Sequence, residues 1–170
     1  MNKQLPNPLT LRQHPRSEET DRAMSHADLV QAAAKWLSKP YQNCSPAGHP
    51  GCSHVVTELV CSCMVEIPDV IGFHAHGSLL VEAKISKADF RKDQNKPFRI
   101  HAKTGMGRLR YYICPTKLLV ANEMPPYWGL LYFDGKSVKV EKDAEVFGDY
   151  YWQGEQRILL SSIRRLKQQK

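Results

Sequence analysis

Apolar positions along this chain recur with two periods, one helical and one extended. Leu29, Ala33, Trp36 and Leu37 repeat at helical spacing. Ser25-His26-Ala27-Asp28 ahead of them reads as a capping box. The predicted helix ends before Lys39-Pro40, because the residue before a proline avoids helical backbone, and Trp36 faces its core. The pattern then turns extended over Val55-Val56-Thr57-Glu58-Leu59-Val60. Val70-Ile71-Gly72-Phe73 and Ser78 to Ile85 are two further apolar runs. His74-Ala75-His76-Gly77 between them predicts a hairpin with a four-residue loop. Ser86-Lys87-Ala88-Asp89 is a second capping box, opening a helix that runs to about Asn95 and stops before Lys96-Pro97. Leu109 to Cys114 reads as a strand ended by Pro115. Trp128 to Phe133, Asp134-Gly135 and Ser137 to Val140 read as a hairpin. A last helix over Glu155 to Gln168 carries Leu159, Ile163 and Leu166 as its apolar stripe and Arg164, Arg165, Lys167 and Lys170 as a basic end.

This order predicts an α/β fold, a mixed central sheet flanked by helices, with a hairpin and a helix added at the C-terminal end. Residues 1–24 are polar, contain proline and lack periodicity, so a flexible tail is expected there. Residues 25–150 form the expected domain, and 151–170 a basic helix packing on it. A chain of 170 residues, 42% hydrophobic and 24% charged, can bury one core. It has no apolar run long enough to span a bilayer and no apolar signal-peptide core. A cytoplasmic, reducing setting is therefore expected, with the five cysteines as thiols or metal ligands rather than disulfides.

Charge changes the picture more. The net charge of +7 favours a polyanionic partner. Residues 84–110 hold nine Lys/Arg and two acids, an excess equal to that of the whole chain. Lys87, Arg91, Lys92, Lys96, Arg99, Lys103, Arg108 and Arg110 are candidates to track a DNA phosphate backbone, with binding that weakens steeply in salt. The loop from Asn43 to His54 offers Cys44, His49, Cys52 and His54 as a candidate structural zinc set. The spacing matches no established finger, and a plain loop is the simpler reading.

The sharpest chemistry lies in the hairpin. If Phe73 faces Ser78, counting outward places Asp69 opposite Glu82. Directly opposed residues have Cβ atoms roughly 5 Å apart on one face. Lys84 shares that face, since side chains alternate along a strand. Two opposed carboxylates destabilise a sheet unless something relieves them. A divalent cation does so: Mg²⁺ takes one or two carboxylates with waters and phosphate oxygens. It activates water and polarises a phosphodiester. The bland alternative is a solvated strand face beside an acid that follows a proline.

Pro68-Asp69, a spacer and Glu82-Ala83-Lys84 resemble the PD-(D/E)XK nuclease signature. Thr57-Glu58-Leu59 and Asp89-Phe90 add a resemblance, over about Ser25 to Phe147, to small DNA-repair nucleases of the MmcB type and related phage-borne proteins. The resemblance implies a restriction-endonuclease-like αβββαβ core. It further implies Mg²⁺ (with Mn²⁺ able to substitute) on Asp69 and Glu82, and Lys84 assisting the attacking water. Glu58 is then a further metal carboxylate; the residues alone leave Glu66 as its rival. DNA is the implied partner, with no membrane, and a homodimer or a larger repair or phage complex fits such a role. The implied function is hydrolysis of DNA in repair, recombination or phage DNA processing. Two alternatives stand beside it: a non-catalytic DNA-binding accessory module on the same fold, and a zinc-stabilised interaction protein.

Overall fold

The computed structural model describes residues 23–39, 51–61 and 66–168. The expected tail up to Arg22 lies outside the described residues, as do Cys44 and His49 of the zinc set. Helix α1 (His26–Leu37) opens at Ser25, whose side chain accepts from the Asp28 N–H while the Asp28 carboxylate accepts from the Ser25 N–H. Strands β1 (His54–Thr57), β2 (Val70–His74) and β3 (Gly77–Ala83) follow. After them come α2 (Lys87–Gln94), the single turn α3 (Pro97–Ile100) and β4 (Leu109–Pro115). Strands β5 (Trp128–Phe133) and β6 (Val138–Lys142) form the second hairpin, and α4 (Trp152–Gln168) closes the chain.

The six strands make one mixed sheet in the order β1-β2-β3-β4-β5-β6. Neighbours pair antiparallel except β3 with β4 and β4 with β5, which are parallel. Helix α1 covers one face, setting Leu29, Ala33 and Leu37 on Leu79, Val81 and Ile113. Phe90 of α2 and Ile158 of α4 cover the other, with Ile71, Leu80, Tyr112 and Leu130. Both faces of β3 are therefore dry, which is why Ser78-Leu79-Leu80-Val81-Glu82-Ala83 is buried throughout rather than alternating. Gly77 at the hairpin corner has φ +136, a backbone state that glycine adopts without steric penalty.

Two elements differ from expectation. Strand β1 stops at Thr57 instead of running on to Val60. The Glu58 N–H still bonds the Asp69 carbonyl, but Glu58 has φ 46 and the next residue to pair would meet Pro68, which has no N–H to give. Helix α4 starts at Trp152 and docks through Gly154, Glu155, Ile158 and Ser162, while Ile163 and Leu166 are exposed. The sequence stripe lay one face round because two of the docking groups are polar. Glu155 accepts from Ser78 Oγ and the Gly107 N–H, and His54 meets Ser162. Among the described residues no helix is long and apolar enough to cross a membrane.

Candidate active site at the Asp69–Glu82 end of the sheet

Phe73 pairs with Ser78 and Val70 with Val81, the register that the spacing requires. Asp69 is the next residue out, and its Oδ2 accepts a 2.8 Å hydrogen bond from the Ala83 N–H. That bond bends the Asp69 carboxylate over the end of β3, where it stays partly accessible, with a side chain 19% exposed. Glu82 is deeply buried, as is Lys84, and Lys84 Nζ lies 3.2 Å from Glu82 Oε2. Burial pushes the Glu82 carboxyl up to about 7. Arg99 and Lys84 oppose that shift, while Asp69 and Asp93 add to it. Burial pulls the Lys84 ammonium down, but Glu82, Asp93 and Asp69 outweigh it and hold Lys84 above its ordinary value. Lys84 is thus a charged group inside the fold.

Behind the pair lies a network that the sequence did not announce. Asp93 of α2 is 1% exposed and lies 3.5 Å from Lys84 Nζ and 2.7 Å from Lys96 Nζ. Its Oδ2 accepts from Tyr112 Oη at 2.8 Å and Arg99 Nε at 2.9 Å. Burial opposes its ionisation, yet Arg99, Lys84 and Lys96 hold Asp93 well below the usual carboxylate range. Glu66 is also buried; it pairs with Arg99 Nη1 and accepts from the Met106 N–H. A sequence clue to Asp93 existed, since it sits three residues after Phe90 and so on the helix face that meets the sheet. Nothing local marks Glu66 as buried.

The candidate phosphate contacts divide into two groups. Lys87, Arg91, Lys92 and Lys96 are exposed on α2 or just after it, and Lys96 Nζ lies 2.7 Å from Asp93. Lys87 also pairs with Glu123 at 3.1 Å. Lys103 is exposed and pairs with Asp149, and Arg108 sits at the far tip of β3, donating to the His76 carbonyl. Arg99 and Arg110 must be withdrawn as phosphate contacts. The Arg99 side chain is 4% exposed, and Arg110 is fully buried. Arg110 donates to the carbonyls of Ala102, Gly105 and Gly107, and its guanidinium lies 3.8 Å from the Phe147 ring centre. These two cations fasten the loop after α3 from inside.

Of the rival acids, Glu58 is the accessible one. It lies across from Asp69 at the end of β1 with 61% of its side chain exposed. His26, the first residue of α1, stands between the two, 3.8 Å from Glu58 Oε1 and 3.3 Å from Asp69 Oδ2. His26 is the functional candidate that sequence reasoning missed; only the tertiary fold brings α1 to the sheet end. Glu66 is already committed to Arg99 and Met106.

The two described members of the zinc set are not brought together. Cys52 is buried against Leu37 in the α1 layer, where desolvation pushes its thiol up to about 12, whereas His54 bonds Ser162 of α4 on the opposite face. Among the described residues no three His, Cys, Asp or Glu side chains group at metal-binding distance.

Neither a protein-family model nor a curated protein matches the sequence. Among solved structures, a protein of unknown function from Silicibacter pomeroyi is similar, at 20% identity and a TM-score of 0.49, over 66% of this chain and 76% of that one.

Proposed function

We propose that this chain is a metal-dependent DNA nuclease of the PD-(D/E)XK kind, hydrolysing phosphodiester bonds. One observation carries the reading. The β2–β3 register sets Asp69 beside Glu82 at a partly open sheet end, with Lys84 bonded to Glu82 and 3.5 Å from Asp93 of α2, the helix that also carries the exposed basic residues. The run α1-β1-β2-β3-α2-β4, with β3 and β4 parallel and helices on both faces, supports a restriction-endonuclease-like core.

The donor set suits Mg²⁺ or Mn²⁺. Carboxylate oxygens are the ligands these ions prefer, and a pair of them completed by water and phosphate oxygens is enough. Glu82 Oε1 is buried and accepts no hydrogen bond; Arg99 Nη2 lies 3.0 Å away but off the hydrogen-bonding direction. That oxygen and the part-open Asp69 are the acceptors left to hold a cation, with Glu58 within reach of Asp69 through His26. When bound, the metal activates water and polarises the phosphodiester. Lys84, fixed between Glu82 and Asp93, offers N–H donors to the attacking water or the developing charge. Lys87, Arg91, Lys92 and Lys96 hold the backbone without reading sequence.

The burial of Lys84 favours a second reading, a DNA-binding module in which Glu82 and Lys84 serve only as a structural ion pair. Cleavage of labelled single-stranded, duplex, nicked, flapped and branched DNA separates the two. The assay runs with Mg²⁺, Mn²⁺ or chelator on wild type, Asp69→Asn and Glu82→Gln. The nuclease reading expects metal-dependent cleavage in wild type and its loss in both folded variants. Cleavage that survives in Glu82→Gln sinks the site assignment. Salt-sensitive binding with no cleavage of any substrate selects the module.

A further inference from the structure

We propose that Arg99 is a positioning residue for the two candidate metal carboxylates, holding both from the interior side of the sheet end; the inference rests on the metal-dependent reading above. Arg99 bonds two acids through Nη1 and Nε and sets Nη2 beside a third, the three coming from three parts of the chain. Nη1 bonds Glu66 on the segment entering β2, Nη2 lies 3.0 Å from Glu82 Oε1 on β3, and Nε donates to Asp93 Oδ2 on α2 at 2.9 Å. The guanidinium carbon lies 4.7 Å from the Phe98 ring centre and 4.9 Å from the Trp128 ring centre.

The contact with Glu82 is direct. The hold on Asp69 is indirect but short: Glu66 is three residues upstream, Pro68 restricts the backbone between them, and the second Glu66 oxygen is fixed by the Met106 N–H at 2.7 Å. One planar fork therefore sets where β2 begins relative to the Glu82 side chain. A lysine cannot reproduce this, because an ammonium is a point charge without three fixed directions. Arg99 is closed off from solvent, so it is not a phosphate contact. A role in folding alone would leave metal affinity unchanged once the chain is folded.

The test measures Mn²⁺ binding to the full chain without DNA, by electron paramagnetic resonance of the free ion. DNA affinity and its salt slope are measured separately in chelator. Arg99→Lys keeps the charge and loses the fork. Glu66→Gln keeps Arg99 and loosens its anchor at the β2 entrance, and it serves if the first variant fails to fold. Groups that orient a ligand typically change metal affinity by 10–100-fold. The expected result is Mn²⁺ affinity lowered about tenfold in the folded variants, with DNA affinity in chelator and its salt slope unchanged. Wild-type Mn²⁺ affinity in a folded Arg99→Lys or Glu66→Gln chain overturns the positioning role. Wild type that binds no Mn²⁺ overturns the metal reading itself, and this inference with it.

Discussion

Replacing Asp93 with asparagine keeps the shape of the side chain and removes its charge. In the native chain Asp93 faces Lys84, Lys96 and Arg99 and accepts from Tyr112 Oη. Removing one partner of a buried ion pair typically destabilises by about 3–5 kcal/mol. Two features soften that. Lys96 is 46% exposed and can turn to water, and asparagine still accepts from Tyr112. Lys84 and Arg99 keep Glu82 and Glu66 as counter-charges. We expect a loss of about 3 kcal/mol at neutral pH, read as a lower urea midpoint at unchanged slope. At this chain length that corresponds to a drop in Tm of roughly 6–12 °C. The pH dependence isolates the charge. The Asp93 carboxyl is held low in the fold, so the stability it contributes is present above the ordinary carboxylate pKa and is lost as pH falls through the folded value. The gap between wild type and Asp93→Asn should therefore narrow below about pH 4. A gap under about 1 kcal/mol at pH 7, or one that stays constant into acid, would refute the claim that the Asp93 charge braces Lys84 and Arg99.

The exposed and the buried cations should separate cleanly. Arg91→Ala with Lys92→Ala should lower the salt slope of DNA binding by about two with little change in Tm, whereas Arg110→Met should lower Tm and leave the slope alone; a slope change in Arg110→Met would return that residue to the interface. A Cβ added at Gly72 would lie 2.5 Å from Cys52 Sγ and 2.9 Å from its Cβ, so Gly72→Ala should destabilise by about 1–3 kcal/mol. Adding Cys52→Ala should recover part of that loss in a double-mutant cycle, and additive losses would place the strain elsewhere.

The hairpin was legible because strand geometry is rigid. A period of two leaves one register that keeps Ile71 and Leu80 on the same buried face; the expected four-residue loop tightens to Ala75-His76, because His74 itself pairs with Gly77, and the register is unchanged. The register then delivers Asp69 to Glu82 without further information. Both serine N-caps were legible for a similar reason, since a serine oxygen three residues from its N–H partner closes a local ring; the full box forms at Ser25 with Asp28, while at Ser86 the side chain accepts from the Asp89 N–H. The face of α4 was not legible. Its docking groups include Glu155 and Ser162, whose polarity is neutralised by partners 77 and 108 residues away in sequence. His26 likewise gains meaning only when α1 is laid across the sheet.

The basic run shows where sequence reading of charge fails. Lys92 and Arg99 look alike in a list of cations, but one is solvated and the other is enclosed by Glu66, Glu82 and Asp93. The difference comes from acids that the sequence places far apart: Glu66 lies before β2, Glu82 in β3 and Asp93 in α2. A count of charges along the chain adds these cations to a DNA-binding face, though their charge is balanced inside. What remains outside is the narrower band Lys87, Arg91, Lys92 and Lys96, on and just after the helix whose Asp93 lies 3.5 Å from Lys84. A phosphate backbone on that band would run along the helix that braces Lys84. The smaller patch thus fits the proposed chemistry better than the longer run did.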